Sequence, residues 1–86
     1  MNRAEFVNEV AKCKKISHGN AYRSVNAVMD TIRLALMCGE SVEIGGFGTF
    51  AVVTDLKGER IPVFKGGRAI KKVLNVEENK GGGYNG

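Results

Sequence analysis

The basic residues near the end of the chain have the types and spacing that best suit binding chemistry. Lys65, Arg68 and Lys71 recur at three-residue intervals. The interval 57–75 holds six basic residues against a single acid, Glu59, so it carries a charge of +5, whereas the whole chain carries +4. Because ammonium and guanidinium groups bind phosphate oxygens, this interval suits a polyanion. An ordinary solvated surface is the alternative.

A glycine-flanked phenylalanine is the second candidate for binding chemistry. Gly46 and Gly48 stand on either side of Phe47. Glycines at both positions allow a tight turn whose backbone N–H groups stay uncovered, and such groups can bind a phosphate oxygen. A hairpin turn with a packed phenylalanine is the alternative.

Catalytic and metal chemistry are not indicated. His18 is the only histidine and falls in a predicted turn, with no Ser/His/Asp, Cys/His or paired-carboxylate arrangement beside it. Cys13 and Cys38 lack metal-ligand spacing, and we interpret both as buried core residues in a reducing cytoplasm. No apolar run approaches the roughly 18 residues of a membrane span. We therefore expect a soluble protein with no enzymatic activity, metal, cofactor, small-molecule substrate or membrane contact.

Two helices are predicted before residue 40. Asn2 and Glu5 form a capping box, so the first helix begins there and ends near Lys15. The second helix has Ser17 as its N-cap and runs to about Cys38, with Gly39 as its left-handed stop.

The apolar stripe of the second helix is longer than the first helix can cover, since it persists for about five turns. The chain has no third long helix, so the simplest cover is a second copy of the same helix, which predicts a two-fold dimer. A chain of this length hides only about 60% of its unfolded surface, which also favours association. The predicted dimer core is Val28, Ile32, Leu36, Phe47, Phe50 and Phe64.

After residue 40 the apolar period falls to two, which predicts three strands. The second strand, 47–55, and the third, 60–65, are joined by a short loop with Gly58 in the left-handed conformation. This register pairs Phe50 with Phe64.

The end of the chain separates into a short helix and a tail. Residues 68–75 predict a helix with lysines on its outer face. Residues 76–86 contain four glycines and no core-forming period, which predicts a flexible tail. The sequence therefore predicts one α+β domain over 1–75.

Two blocks of this sequence resemble the HU and integration host factor family. The first is G-E-S-V-E-I-G-G-F-G-T-F over residues 39–50, and the second is I-P-V-F-K-G-G-R-A-I-K over residues 61–71. The resemblance spans 1–75 and implies an intertwined dimer in which each chain has an amino-terminal helical hairpin, a three-stranded antiparallel sheet and a short C-terminal helix.

The resemblance also implies a function and a site. A homodimer is expected to bind double-stranded DNA independently of sequence, as a cytoplasmic, nucleoid-associated histone-like protein; a heterodimer with an HU-like subunit is possible. Family members contact the DNA backbone at the positions of Arg3, Lys65, Arg68 and Lys71. The expected DNA-binding set is Arg3, Gly46, Phe47, Gly48, Lys65, Arg68, Lys71 and Lys72.

The sequence departs from the family between the second and third strands. Family members have about twenty further residues there, which form DNA-wrapping arms carrying an intercalating proline. Here residues 56–59 alone connect the strands, and the single proline, Pro62, matches a strand position instead. Unstacking a base step costs a few kcal/mol, and without a wedge we expect little DNA bending.

A second departure concerns the sheet face that would meet DNA. Ala51 and Val53 are expected to share one face with Ile61 and Val63, whereas relatives carry arginines at the places of Val53 and Asp55. Exposed aliphatic surface more often marks a protein contact. The alternative function is therefore an armless interaction subunit, which pairs with a full-length relative or binds a protein partner on this apolar saddle. A different strand register, which would place other residues on this face, is the remaining explanation.

Overall fold

The computed structural model describes residues 1–79, which form two compact units that divide within the second helix, between Leu34 and Ala35. The expected order of elements and the α+β class are confirmed. Within the described residues, no helix combines the length and apolar composition needed to cross a bilayer. The elements are α1 (Arg3–Lys14), α2 (His18–Met37), β1 (Val42–Ile44), β2 (Gly48–Thr54), β3 (Arg60–Gly66) and α3 (Arg68–Asn79).

Helix α1 begins and ends where the sequence predicts. The Glu5 backbone N–H donates to Asn2 Oδ1 at 2.9 Å, and the Asn2 N–H donates to Glu5 Oε1 at 3.0 Å, which completes the capping box. At the other end Lys15 adopts a left-handed φ of 55°, and the Ile16 N–H donates to the Ala11 carbonyl at 3.1 Å. This bond pattern reverses the chain toward α2.

Helix α2 has the expected N-cap and ends one residue before the predicted end. The Asn20 N–H donates to Ser17 Oγ at 3.0 Å. After Met37, Gly39 takes a φ of 81° and the Glu40 N–H donates to the Ala35 carbonyl at 2.9 Å. A left-handed glycine ends a helix without steric cost.

The side chain of Arg60 caps the end of α2. Its Nη2 donates to the carbonyls of Leu36 and Met37 at 2.9 and 3.3 Å. Carbonyls in the last turn of a helix lack intrahelical partners, and a cation there also opposes the helix dipole. Arg60, one of the six basic residues counted in 57–75, therefore has a structural role as a cap of α2.

The first unit has a small core in which α1 packs on α2. Phe6 and Val28 remain exposed beside it. A single chain thus covers only part of the apolar stripes of these helices. The core consists of Val7, Ala21 and Val25, with Val10, Ala11 and Met29 packed against it.

Both cysteines are exposed, so the interpretation of Cys13 and Cys38 as buried core residues is wrong. Cys13 lies six residues after the buried Val7, which at 3.6 residues per turn places it about 120° round the helix from the core. Cys38 follows the last residue of α2.

The sheet is antiparallel with strand order β1-β2-β3. Phe50 lies opposite Phe64, and Val53 lies opposite Ile61, which confirms the predicted register and rules out a shifted one. Strand β2 is shorter than predicted, because it begins at Gly48 and ends at Thr54.

The β2–β3 connection is a tight, bonded turn. Asp55 Oδ1 accepts the backbone N–H groups of Lys57 and Glu59, each at 2.8 Å. Gly58 has a φ of 87°, as the sequence predicts, and Leu56 is fully exposed at the tip. No arm extends beyond this turn.

Helix α3 is longer than predicted. It runs to Asn79, so residues 76–79, which the sequence assigns to the tail, are helical. The sequence gives no signal that the helix continues, because Glu77 and Glu78 interrupt the apolar spacing. The remaining tail, 80–86, lies outside the described residues.

Three phenylalanine rings pack together on one side of the second unit. The ring centroids of Phe50 and Phe64 lie 4.9 Å apart, and that of Phe47 lies 5.2 Å from Phe64. Gly48 is buried against them: a Cβ on this residue would lie 2.7 Å from the Phe64 ring and 2.5 Å from the Lys65 carbonyl oxygen. The cluster therefore requires a glycine at this position.

We expect Gly48→Ala to lower the free energy of unfolding by about 1–3 kcal/mol, because the added methyl group forces the strands apart. Gly45→Ala is the matched control, since a Cβ there meets no atom within 4 Å and its φ is not positive. The control should change stability by less than about 0.5 kcal/mol. Urea unfolding at one fixed protein concentration measures both, and equal effects would contradict the close approach.

Candidate nucleic-acid interface

The turn between β1 and β2 forms one edge of the candidate interface. The Phe47 N–H donates to the Ile44 carbonyl at 3.0 Å, and Gly46 has a φ of 83°. A positive φ at the third position of a four-residue turn is the type II geometry, which favours glycine.

This geometry corrects the reason given for the glycines. The Phe47 N–H is already bonded within the turn, and Gly48 is buried, so neither is open to a phosphate oxygen. Gly48 is needed for its close contact with Phe64 and Lys65. The alternative interpretation, a hairpin turn with a packed phenylalanine, therefore describes Phe47 and Gly48 better.

The start of α3 is tied to the same turn. The Gly67 N–H donates to the Phe47 carbonyl at 2.8 Å, and the Gly67 carbonyl accepts the first helical bond, from the Lys71 N–H, at 3.1 Å. The N–H groups of residues 68–70 therefore have no intrahelical acceptor, and Gly67 has no side chain to cap them. A helix terminus of this kind attracts anions.

Four predicted DNA-binding cations lie at this junction of β3 and α3. Lys65 is the penultimate residue of β3, and Arg68 is the first of α3. All four are exposed, and none is within salt-bridge distance of an acid among the side chains that the structure describes. The aliphatic stem of Lys71 lies beside Gly66, where a Cβ would be 3.9 Å from Lys71 Cγ. The fourth is Lys72, which follows Lys71 on α3.

Arg3, the remaining expected cation, lies on α1 in the first unit. Its Nη1 donates to Asn26 Oδ1 on α2 at 3.1 Å. Asn26 has no signal in the sequence, because its contact is with a residue 23 positions away. The bond restricts the guanidinium to one position and reduces the entropy that a ligand contact would cost.

The sheet face opposite the Phe50–Phe64 pair is aliphatic, as the register predicts. Ala51 lies opposite Val63, and Val53 lies opposite Ile61. Val53 and Ile61 are exposed. The same face carries Glu43, whose partner Thr49 lies opposite Lys65.

The residues of the expected dimer core remain uncovered in a single chain. Phe47 and Phe64 are 42% and 46% exposed although their rings pack together. Val28 is exposed, and Ile32, Leu36 and Phe50 are half-buried. Apolar surface of this extent is costly in water.

Comparisons with known proteins identify the family. The model of the family described as bacterial DNA-binding protein matches residues 1–57, two thirds of the chain. The HU protein of Geobacillus stearothermophilus is 33% identical over 89 residues, which cover 86% of this chain and 99% of that protein. The fold and the basic junction define a small histone-like protein class. The chain belongs to the bacterial HU/IHF family of DNA-binding, non-enzymatic proteins.

Solved structures confirm the fold. HU from Thermotoga maritima is 35% identical with a TM-score of 0.73, over 86% of this chain and 98% of that one. The Anabaena HU–DNA cocrystal structure is 26% identical with a TM-score of 0.71, over 86% of this chain and 97% of that one.

The alignment also agrees with a shortened arm. The alignment with Geobacillus HU has 89 positions but includes only about 74 residues of this chain, which is 86% of its 86 residues. About fifteen positions of that relative therefore have no counterpart here. The family-model match ends at Lys57, in the tip of the β2–β3 hairpin.

Proposed function

We propose that two copies of this chain form a dimer that binds double-stranded DNA through phosphate contacts, independently of sequence. The observation that carries the proposal is the junction of β3 and α3, where four exposed cations lie within eight residues of the chain, next to an uncapped helix terminus. Each neutralised phosphate releases counterions, so binding of this kind is strong only at low salt. Within a bacterial cell the protein would be cytoplasmic and associated with the nucleoid.

Each part of the junction has a separate role. Lys65, Arg68 and Lys71, with Lys72 beside them, bind phosphate oxygens, and Arg3 adds a contact from the first unit. The bond between Gly67 and Phe47 sets the position of the helix start. Gly46 and Gly48 allow the turn and the close packing that this bond requires.

The uncovered apolar surface supports the dimer. A groove of about 290 Å³ on the α1–α2 pair is open to solvent, and the aromatic cluster of the second unit is half-exposed. A second copy would cover apolar surface of this kind, and two-fold symmetry is the usual symmetry of soluble oligomers. The groove is lined by Phe6, Val10, Ser24, Val25, Val28 and Met29.

The bonded tip of the β2–β3 hairpin supports weak bending. A turn of residues 55–59 has no free length to follow a DNA groove. The single proline, Pro62, lies in β3 opposite Val52 and is not at the tip. Binding would then leave the duplex close to straight.

An interaction subunit is the second candidate function, favoured by the exposed aliphatic face of the sheet. Val53 and Ile61 are exposed there, and Glu43 on the same face would repel phosphate. In that case the chain would pair with a full-length HU protein or hold a protein partner on this face. Undetectable duplex binding at low salt, together with a mixed dimer on adding Geobacillus HU, would favour this candidate.

Removing junction cations should weaken duplex binding and reduce its salt dependence. For Arg68→Ala with Lys71→Ala, we expect the slope of log binding constant against log salt to flatten by about one unit for each phosphate that is no longer neutralised. Lys12→Ala with Lys14→Ala removes the same charge from α1 and should leave the slope nearly unchanged. Mobility shifts at several salt concentrations give the slopes, and parallel slopes in both variants would argue against the junction.

The mass in solution tests the dimer. Light scattering at micromolar concentration should give twice the 9.3 kDa of one chain. Val28→Asp should reduce it, because a carboxylate would enter the apolar contact. Val53→Asp is the control, since Val53 is similarly exposed, 47% against 55% for Val28, but lies outside the expected dimer core. A folded wild-type monomer would disprove the dimer.

Fluorescence transfer across an end-labelled duplex tests the bend. We expect the transfer efficiency at saturation to stay close to that of free DNA, because no wedge is present to unstack a step. A full-length HU protein run in parallel provides the bent reference. A comparable change in both samples would show that the short hairpin bends DNA.

A further inference from the structure

A cavity in the first unit has chemistry that the proposed function leaves largely unused. It has a volume of about 330 Å³, within the range of small-molecule pockets, and is open to solvent on one side. Its lining residues are Arg3, Ala4, Val7, His18 and Tyr22. Phosphate contacts with a duplex would use Arg3 alone.

The walls of this cavity suit a flat ring. The lining surface is almost entirely carbon, with Val7 fully buried beneath it. Tyr22 supplies an aromatic side chain that is half-exposed in the chain. An aromatic ring beside aliphatic carbon provides packing for a planar heterocycle without requiring specific hydrogen bonds.

The rim of the cavity suits an anion. The bond to Asn26 uses one of the five guanidinium N–H groups of Arg3, and no described acidic side chain forms a salt bridge with it. His18 is the first residue of α2, where the helix dipole adds positive potential. The cavity therefore combines an apolar lining surface with Arg3, a lining residue whose guanidinium has N–H groups left for an anion.

We propose that this cavity binds an unpaired nucleotide, with its base packed on Tyr22 and its phosphate bound by Arg3 beside His18. Proteins that hold unpaired bases combine aromatic platforms with cations in this way. A base inside a duplex cannot enter, because it is paired and stacked. The site would therefore distinguish DNA with an unpaired base from an intact duplex. The inference for DNA rests on the proposed function, whereas binding of a free nucleotide does not.

The first experiment uses thymidine monophosphate and nuclear magnetic resonance of the full chain. We expect saturable shifts at the amides of Arg3, Ala4, Val7 and Tyr22 and at the ring of His18, the only histidine. Deoxyribose 5-phosphate is the control, and it should leave Ala4, Val7 and Tyr22 unshifted because it has no base. The same shifts with both compounds, or none with either, would overturn the proposal.

The second experiment compares one duplex with and without a single unpaired nucleotide at one strand end. The unpaired nucleotide should tighten binding at least about fivefold, the low end of base–aromatic stacking. Tyr22→Ala should abolish this gain and Tyr22→Phe should keep it, while blunt-duplex affinity stays unchanged in both. Ala4→Leu, which fills the cavity from an exposed helical position, should also abolish the gain. A gain that survives Ala4→Leu would overturn the proposal.

The outcomes separate this proposal from the DNA-binding function. Salt-dependent binding of the blunt duplex, with no gain from the unpaired nucleotide and no shifts with the mononucleotide, would remove the cavity proposal alone. Mononucleotide shifts at the cavity residues without duplex binding would support the cavity and remove the DNA-binding function.

Discussion

The contact between the β1–β2 turn and the start of α3 is the constraint on which the second unit depends. Gly48 approaches the Phe64 ring and the Lys65 carbonyl so closely that no side chain fits, and the Gly67 N–H bonds to the Phe47 carbonyl at 2.8 Å. Together these contacts hold the end of β3, the turn and the uncapped helix terminus in one arrangement. This arrangement sets the distances between Lys65 at the end of β3 and the cations of α3.

The core of the chain is small, and much of its apolar surface therefore remains exposed. In the first unit only Val7, Ala21 and Val25 are buried, while Phe47 and Phe64 of the second unit remain half-exposed. A chain of 86 residues cannot cover its apolar residues by itself. A second copy of the same chain would cover this apolar surface without any additional protein. The resulting dimer would carry two cationic junctions.

The hairpin of β2 and β3 is short in this chain and is closed by hydrogen bonds at its tip. Asp55 accepts two backbone N–H groups and so closes the turn between β2 and β3. About fifteen of the 89 aligned positions of Geobacillus HU have no counterpart in this chain. The aliphatic face below the tip, with Val53 and Ile61 exposed, has little charge to offer a phosphate backbone. Phosphate binding would therefore depend on the junction of β3 and α3 and on Arg3.

The sequence by itself determined the elements whose causes are local. The capping box at Asn2, the Ser17 cap, the left-handed Gly39 and Gly58, and the pairing of Phe50 with Phe64 follow from neighbouring residues and periodicity, and all are present. The family could also be recognised from the sequence, because each of its two characteristic blocks is a continuous run of residues, 39–50 and 61–71. The expected cations were also located from spacing, since Lys65, Arg68 and Lys71 meet at one junction.

Only the tertiary structure decided the features that depend on contacts between distant residues. Arg60 caps α2 across more than twenty residues, Asn26 holds Arg3, and Gly48 serves close packing instead of an open turn. Both cysteines are exposed although their residue type suggests burial, because the helical phase of Cys13 turns it away from the core and Cys38 follows the end of α2. Sequence periodicity specifies which face of an element is apolar, but the partner of each polar group is set by which elements meet.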